Sequence, residues 1–298
     1  MIHTVHKPVM LEEALDYLQP TKNQNFVDCT FGGGGHALAI LNQIKPKGKL
    51  IGIDWDPEVV ESSSNDNLIL VNDNYKNLKK IINVAGVNKI HGILLDLGLS
   101  SDQLNSEGRG FSFQDQGSLD LRYNSLSDGS TAKEILQKYG YQELVEIFKK
   151  YGEEPLAGPI AKKIIKNREQ DQIIETADML VQLVSSVYFR HFKSKSRRNP
   201  ATRIFQALRI AVNDEFGNIM AVLPEAIEVL EPGGRLVVIS FHSGEDRIVK
   251  HFFRQEAKAD NSKIKLLTKK PIYPSEDEVK SNPRSHSAKM RVVEKKRL

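Results

Sequence analysis

The sequence is poor in cysteine and has no long apolar run. A single cysteine, Cys29, stands in a chain of 298 residues. One thiol excludes an intrachain disulfide and suits a reducing compartment. His3, His6, His91 and His251 are scattered along the chain, so no stretch has the ligand spacing of a metal site. No apolar run approaches the roughly 18–20 residues needed to cross a bilayer. The start, Met1 to Tyr17, is polar and charged and does not read as a secretory signal. The expectation is a cytoplasmic protein with no membrane partner and no metal. There is no internal repeat and no long low-complexity segment. What is present is an ordinary globular balance, 40% hydrophobic and 27% charged. The length allows one large domain or two modest ones.

The net charge is only +4, but the cations are unevenly placed. Arg190, Lys193, Lys195, Arg197, Arg198 and Arg203 fall in one stretch that holds no acid. Lys280, Arg284, Lys289, Arg291, Lys295, Lys296 and Arg297 follow near the end against one acid, Glu294. Two basic stretches fit a polyanionic partner, because phosphate contacts supply much of nucleic-acid affinity. Either stretch alone is equally well explained as a solvated surface.

Over the first hundred residues strand and helix signals alternate. Short apolar runs at Asn25–Thr30, Lys49–Asp54, Leu68–Asn72 and Gly92–Leu97 predict strands, and the patterns at His36–Ile44, Glu58–Ser63 and Tyr75–Ala85 predict helices between them. That alternation predicts a parallel sheet covered on both faces. From Ser101 to Tyr123 the chain reads as a long loop, a length usually tied to function or disorder. Helical patterns follow at Ala132–Tyr139, Tyr141–Lys150, Ile160–Asn167 and Thr176–Val187, then across Ala201–Val229. Strand chemistry returns at Gly234–Ser240. Two β segments, Lys263–Lys270 and Ser287–Lys295, are predicted to be joined by a loop. The simplest architecture is an α/β sheet domain, residues 1–110 and 215–298, interrupted by an all-helical insertion, residues 111–214.

Thr30-Phe31-Gly32-Gly33-Gly34-Gly35-His36 leaves the first strand and opens a helix. Glycines let a backbone approach a ligand and take positive φ, and a helix N-terminus offers amides to an anionic group. A tight turn without a ligand is the plainer alternative, and four consecutive glycines at this junction weigh against it. Gly32, Gly34 and Ala37 also fit a loose dinucleotide pattern, which is a weak signal alone. Asp54 ends the second strand, where an acid would bind ribose hydroxyls in either cofactor class. Three features favour S-adenosylmethionine over a dinucleotide. Asp28, just before the glycines, could face an ammonium and would repel a pyrophosphate. Asn72-Asp73-Asn74-Tyr75 offers polar groups and a ring suited to an adenine. Pro232-Gly233-Gly234 then leads into a late strand followed by two more, as a seven-stranded methyltransferase sheet ends.

Further motifs are more specific. VDCTFGGGGH at Val27–His36, GIDWDP at Gly52–Pro57 and GILLDLGLSSDQL at Gly92–Leu104 are followed by RGFSF at Arg109–Phe113 and LDLR at Leu119–Arg122. NPATRIFQALRIAVNDE at Asn199–Glu215, EPGGRLVVISFHSGEDRIVK at Glu231–Lys250 and NPRSHSAKMR at Asn282–Arg291 complete the series. In this order they resemble, nearly end to end, the bacterial 16S ribosomal RNA (cytosine-N4)-methyltransferase family, RsmH or MraW. The resemblance implies a class I Rossmann-like fold with an inserted helical domain that recognises RNA. It implies methyl transfer to the N4 amine of a cytidine in the decoding centre of the small ribosomal subunit. By motif position it implies cofactor contacts at Gly34, Gly35, His36, Asp54, Tyr75, Asp96 and Gln103. The chain departs from the usual pattern with Asn199 for His, Tyr75 for Phe, Gly244 for Leu, Ser285 or His286 for Arg, and Pro155 for Arg.

Asp96, at the end of the fourth strand, and Ser100 in the same segment are the candidate catalytic residues. Ligands of open α/β sheets bind beyond the carboxyl ends of the strands, and Asp96 could accept a hydrogen bond from the amine. It could equally contact only the cofactor. The target base must leave its stack, and Phe111, Phe113, Phe241 and His242 could hold it, although each phenylalanine could also be core. Arg109, Arg122, Arg197, Arg198, Arg203, Arg247 and Arg284 are candidate RNA contacts, each of which could instead form a structural ion pair. Two other classes stand beside the methyltransferase: a noncatalytic RNA-binding assembly factor that keeps the fold, and an NAD-linked oxidoreductase. The intact glycine loop, Asp54, Asp96 and Gln103 weigh against the first, and Asp28 weighs against the second.

Overall fold

A computed structural model of the chain describes residues 8–59, 66–99, 108–113, 117–192 and 199–297. It divides into two compact units, one of residues 1–101 with 216–298 and one of residues 102–215.

The first unit is built on a seven-stranded sheet. In chain order its strands are β1 (Asn25–Asp28), β2 (Leu50–Asp54), β3 (Leu68–Asn72), β4 (Ile90–Asp96), β5 (Leu230–Ser240), β6 (Ile264–Leu266) and β7 (Lys289–Lys295). Across the sheet the order is β3-β2-β1-β4-β5-β7-β6. The first five pair in parallel, and β7 runs antiparallel to both β5 and β6. The parallel strands are apolar along their length because both faces are covered. Alternate residues go to opposite sides. Val27, Ile93, Leu236 and Val238 face a core shared with α3 (Leu78–Ala85), α9 (Glu215–Val229) and α10 (Ser243–Lys258). Phe26, Leu94, Val237 and Ile239 face a second core with α1 (Leu11–Leu18) and α2 (Gly35–Ile44).

The second unit holds α4 (Ala132–Lys138), α5 (Tyr141–Lys150), α6 (Ala157–Glu169), α7 (Ala177–Phe192) and α8 (Thr202–Asn213). Leu136, Leu144, Phe148, Ile160, Ile164, Leu180, Val184 and Leu208 are buried here. Thr131 starts α4 with a reciprocal cap, its hydroxyl taking the Glu134 amide while Glu134 takes the Thr131 amide.

Several elements differ from the sequence-based expectation. Helices α1 and α10 go beyond it. The pattern over Ala201–Val229 is two helices, because Asp214 takes a left-handed conformation with φ 48°. The loop expected before β7 contains the short helix α11 (Glu276–Ser281) and a 3-10 turn, Pro283–Ser287. Of the helix expected at Glu58–Ser63, a 3-10 turn over Pro57–Val59 is present and the rest lies outside the described residues. No helix among the described residues is long and apolar enough to cross a membrane.

Candidate cofactor site

The glycine loop is held tightly between β1 and α2. Gly32 and Gly34 take positive φ, 48° and 75°, which glycine does without a Cβ penalty. Phe31 donates its amide to Ile53 O at 2.9 Å, and its ring lies against β2 at Gly52. A Cβ on Gly52 would sit 2.5 Å from that ring. Gly35 touches Pro8, with only 3.0 Å for any Cβ. His36, which is 6% exposed, places Nε2 at 3.0 Å from Val9 O. A carbonyl only accepts, so Nε2 carries the hydrogen. The segment at residues 8–10 thus covers the start of α2.

Four polar groups follow at the carboxyl ends of successive strands. Asp28 closes β1, is 1% exposed, and accepts one amide bond from Thr30 at 3.1 Å. Burial pushes its carboxyl up to about 7; the Thr30 amide pulls it down and nearby Asp54 adds to the rise. Asp54 closes β2. Its Oδ2 accepts from the Gly32 amide at 2.7 Å and its Oδ1 from the Asp56 amide at 2.9 Å, so it clamps the glycine loop to the end of β2. Burial lifts it to about 6.

Beyond β3, Asn74 Oδ1 caps the turn that carries Tyr75 by accepting the Lys76 amide at 3.0 Å. The buried Asn74 Nδ2 has no partner among the described residues. Tyr75 itself packs at the edge of the core.

Asp96 closes β4. Its amide donates to Thr30 Oγ1 at 2.7 Å, and its Oδ2 lies 3.6 Å from His36 Nδ1. Its Oδ1 is buried with no hydrogen-bond partner among the described residues. Burial, then the charges of Asp28, Glu245 and Glu278, hold its carboxyl well above the usual range.

Three acids with raised affinity for protons therefore surround a glycine loop in a chain of net positive charge. Such a place suits a cation and opposes a pyrophosphate. The residues would fit S-adenosylmethionine: an acid at Asp28 for an ammonium, Asp54 for ribose hydroxyls, a ring at Tyr75 for the adenine, and an acid at Asp96 whose charged form a nearby sulfonium would favour.

The remaining candidates are placed differently. Arg109 Nη2 donates to Arg122 O at 2.9 Å and Tyr123 O at 2.7 Å, and its guanidinium stands 5.2 Å from the Phe111 ring. Arg122 grips Asp120 through two bonds of 2.6 and 2.8 Å. Arg203 reaches Glu153 O at 3.4 Å. Phe111 is 6% exposed and stacks on Tyr123, and Phe113 meets Phe205 edge to face. His242 accepts the Gly244 and Glu245 amides at Nδ1 and so caps α10. Arg247 and Arg284 are exposed. Ser100, Gln103, Arg197 and Arg198 lie outside the described residues.

Two departures from the family pattern have a physical basis. The Phe216 ring occupies the space that a side chain at Gly244 would need. Ser285 is fully buried, its hydroxyl donating to Asn282 O at 2.8 Å, which leaves no room for an arginine.

Glu245 and Glu278 were not found by sequence reasoning. Glu245 is 1% exposed and accepts the Phe241 amide at 2.8 Å; its place at the third position of α10 is a capping pattern that could have revealed it. Glu278 accepts the Met10 amide at 2.7 Å across 268 residues, a pairing no local pattern could reveal.

Comparison with known proteins gives the same reading. The MraW methylase family profile matches residues 3–296. The ribosomal RNA small subunit methyltransferase H of Thermomicrobium roseum is 44% identical over 313 residues, covering 99% of this chain and 94% of that protein. Its namesake from Carboxydothermus hydrogenoformans is 38% identical over 309 residues, covering 97% of each. A solved rRNA methylase from Streptococcus thermophilus aligns with 99% of this chain and 100% of its own, at a TM-score of 0.45 and 10% identity, a likeness too loose to weigh beside the sequence matches. With matches along nearly its whole length and an acid-lined glycine loop on a seven-stranded sheet, the chain belongs to the MraW methylase family, and its methyl donor is S-adenosylmethionine.

Proposed function

We propose that the protein methylates the N4 amine of a cytidine in the decoding centre, at the P site, of small-subunit ribosomal RNA, acting in the cytoplasm on RNA within the small subunit. The observation that carries this reading is Asp96: a carboxylate at the end of β4, beside the glycine loop, with a buried acceptor oxygen unsatisfied among the described residues.

S-adenosylmethionine, when bound, supplies a methyl group already activated by its sulfonium. Gly34, Gly35, His36, Asp54, Tyr75, Asp96 and Gln103 would hold it, and Asp28 would offer an acid to its ammonium. What remains is to present the nucleophile in line, and positioning of this kind supplies up to roughly 7–11 kcal/mol in well-oriented cases. A cytosine amine is a poor nucleophile because its lone pair is delocalised into the ring. Asp96 Oδ1 accepts a hydrogen bond from one amine proton, which draws the nitrogen toward a tetrahedral form. The methylated nitrogen then sheds that proton. A carboxylate whose proton affinity is raised by burial and by Asp28, Glu245 and Glu278 is a better acceptor for it than an ordinary aspartate. The target must be unstacked to reach this place, and selection of one cytidine falls to the helical unit and the basic stretches.

Mass spectrometry of small-subunit RNA from cells lacking the protein tests the reading. One methyl should be missing from one cytidine, restored by the wild-type chain and not by Asp96→Ala. An unchanged methylation pattern refutes it.

A further inference from the structure

Helix α7 has an ordinary inner face, with Ala177, Leu180, Leu183, Val184 and Val187 buried. Its last turn behaves in the opposite way. Phe189 is 65% exposed and Phe192 is 56% exposed, and Arg190 and His191 between them are exposed as well. A single exposed apolar side chain needs no explanation. Two large rings spaced i and i+3 are neighbours on the helix surface and make a patch. The patch has a fixed backing: the Phe192 ring lies 5.6 Å from that of Tyr188. The Tyr188 hydroxyl donates to both oxygens of buried Glu154, at 2.7 and 2.8 Å.

Charge identifies what such a patch receives. The sequence continues through Lys193, Lys195, Arg197 and Arg198, and no acid occurs between residues 190 and 203. An apolar protein surface has no need of that concentration of cations. Single-stranded nucleic acid does, because its backbone is anionic and its bases present flat faces to aromatic rings. A duplex keeps those faces stacked inside. We infer that Phe189 and Phe192 form a stacking platform for unpaired bases of RNA held by the helical unit. The inference rests on the reading that the substrate is RNA and adds which side chains grip it and in what form.

The test uses the full chain with S-adenosylhomocysteine present. Three paired variants are compared: Phe189→Ala with Phe192→Ala, the same positions to Leu, and the same positions to Tyr. Anisotropy reads binding to a labelled single-stranded RNA of about twelve nucleotides, within the usual site size, and to a duplex of equal length. Stacking is worth about 1–3 kcal/mol per base, so the Ala and Leu pairs should bind the single strand more weakly by about five- to a hundredfold for each base that loses its ring. The Tyr pair should stay within about twofold, and duplex and cofactor binding should not move. A Leu pair that binds the single strand like wild type overturns the platform, since apolar bulk without a ring would then suffice, as at a protein-docking surface. The two readings fail separately. If wild type methylates the small subunit and the Ala pair keeps full single-strand affinity, the platform falls alone. If wild type methylates no RNA while the Ala pair loses single-strand affinity, the methylation reading falls and the platform stands.

Discussion

A carboxyl group at Asp28 is almost wholly buried with a single described residue, Thr30, to support its charge. Its value of about 7 in the folded chain lies above roughly 3.9 in the unfolded one. Its contribution to stability is therefore full below about pH 4 and is lost as pH rises through about 7. A bound ammonium reverses the preference and favours the charged form. Binding of S-adenosylhomocysteine near pH 7 should accordingly release a fraction of a proton, roughly half from this group. Calorimetry in buffers of different ionisation heat measures it. Asp28→Asn should remove that release, and an unchanged proton count would show that Asp28 does not face the cation. Asp54, at about 6, is mostly ionised at that pH and contributes less. Its own variant, Asp54→Ala, loses both the proposed ribose contact and the clamp on Gly32. A hydrogen bond to a charged group is worth about 1.5–3 kcal/mol, so cofactor affinity should fall about ten- to a hundredfold with some loss of melting temperature. A folded variant with wild-type affinity would remove Asp54 from the site. These acids were legible in the sequence as residues closing apolar runs. Their raised values were not, because burial and mutual repulsion arise only when the strand ends are brought side by side.

Among the elements, β2 and the glycine loop are fitted to each other through one missing side chain. Gly52 leaves the space in which the Phe31 ring rests. Gly52→Ala should displace Phe31 and with it the loop, at a cost of about 1–3 kcal/mol typical of overpacking. A lower melting temperature together with weaker S-adenosylhomocysteine binding is expected. A fall in stability with cofactor affinity intact would mean that the loop does not transmit the change. The strands themselves were readable because parallel strands are apolar on both faces. Helix α10 was not, since two of its four buried positions, Glu245 and Asp246, are acids and blur the apolar period. Helix α1 lacks the usual start signal: Met10 precedes it in a left-handed conformation with no side-chain cap. The division of Ala201–Val229 rests on one left-handed residue, Asp214, in a place with no glycine or proline to announce it.

For the molecule as a whole, the cations are unevenly placed. The Arg190–Arg203 stretch has six cations and no acid. Changing Lys195, Arg197 and Arg198 to Ala should weaken binding to the small subunit and flatten its salt dependence. The slope should fall by roughly 0.7–0.9 for each phosphate that is no longer neutralised. Cofactor affinity should stay near wild type. Titration across salt concentrations decides it, and an unchanged slope would make the stretch an ordinary solvated surface. This expectation comes from charge alone, because these three residues lie outside the described part of the chain. Arginines elsewhere show the limit of such reading. Arg109, Arg122 and Arg203 each give hydrogen bonds to carbonyl or carboxylate groups of their own unit. A sequence displays the donor and hides the acceptor.

The position of β7 has a consequence for how the chain is made. It is the last of the seven strands in chain order, yet it lies inside the sheet, between β5 and β6. Any nascent chain that stops short of residue 289 leaves β5 with one open edge and β6 without its neighbour. Open apolar edges invite pairing with other chains. The order β5-β7-β6 is therefore completed only once Lys289–Lys295 has been made, long after the cofactor loop has been translated.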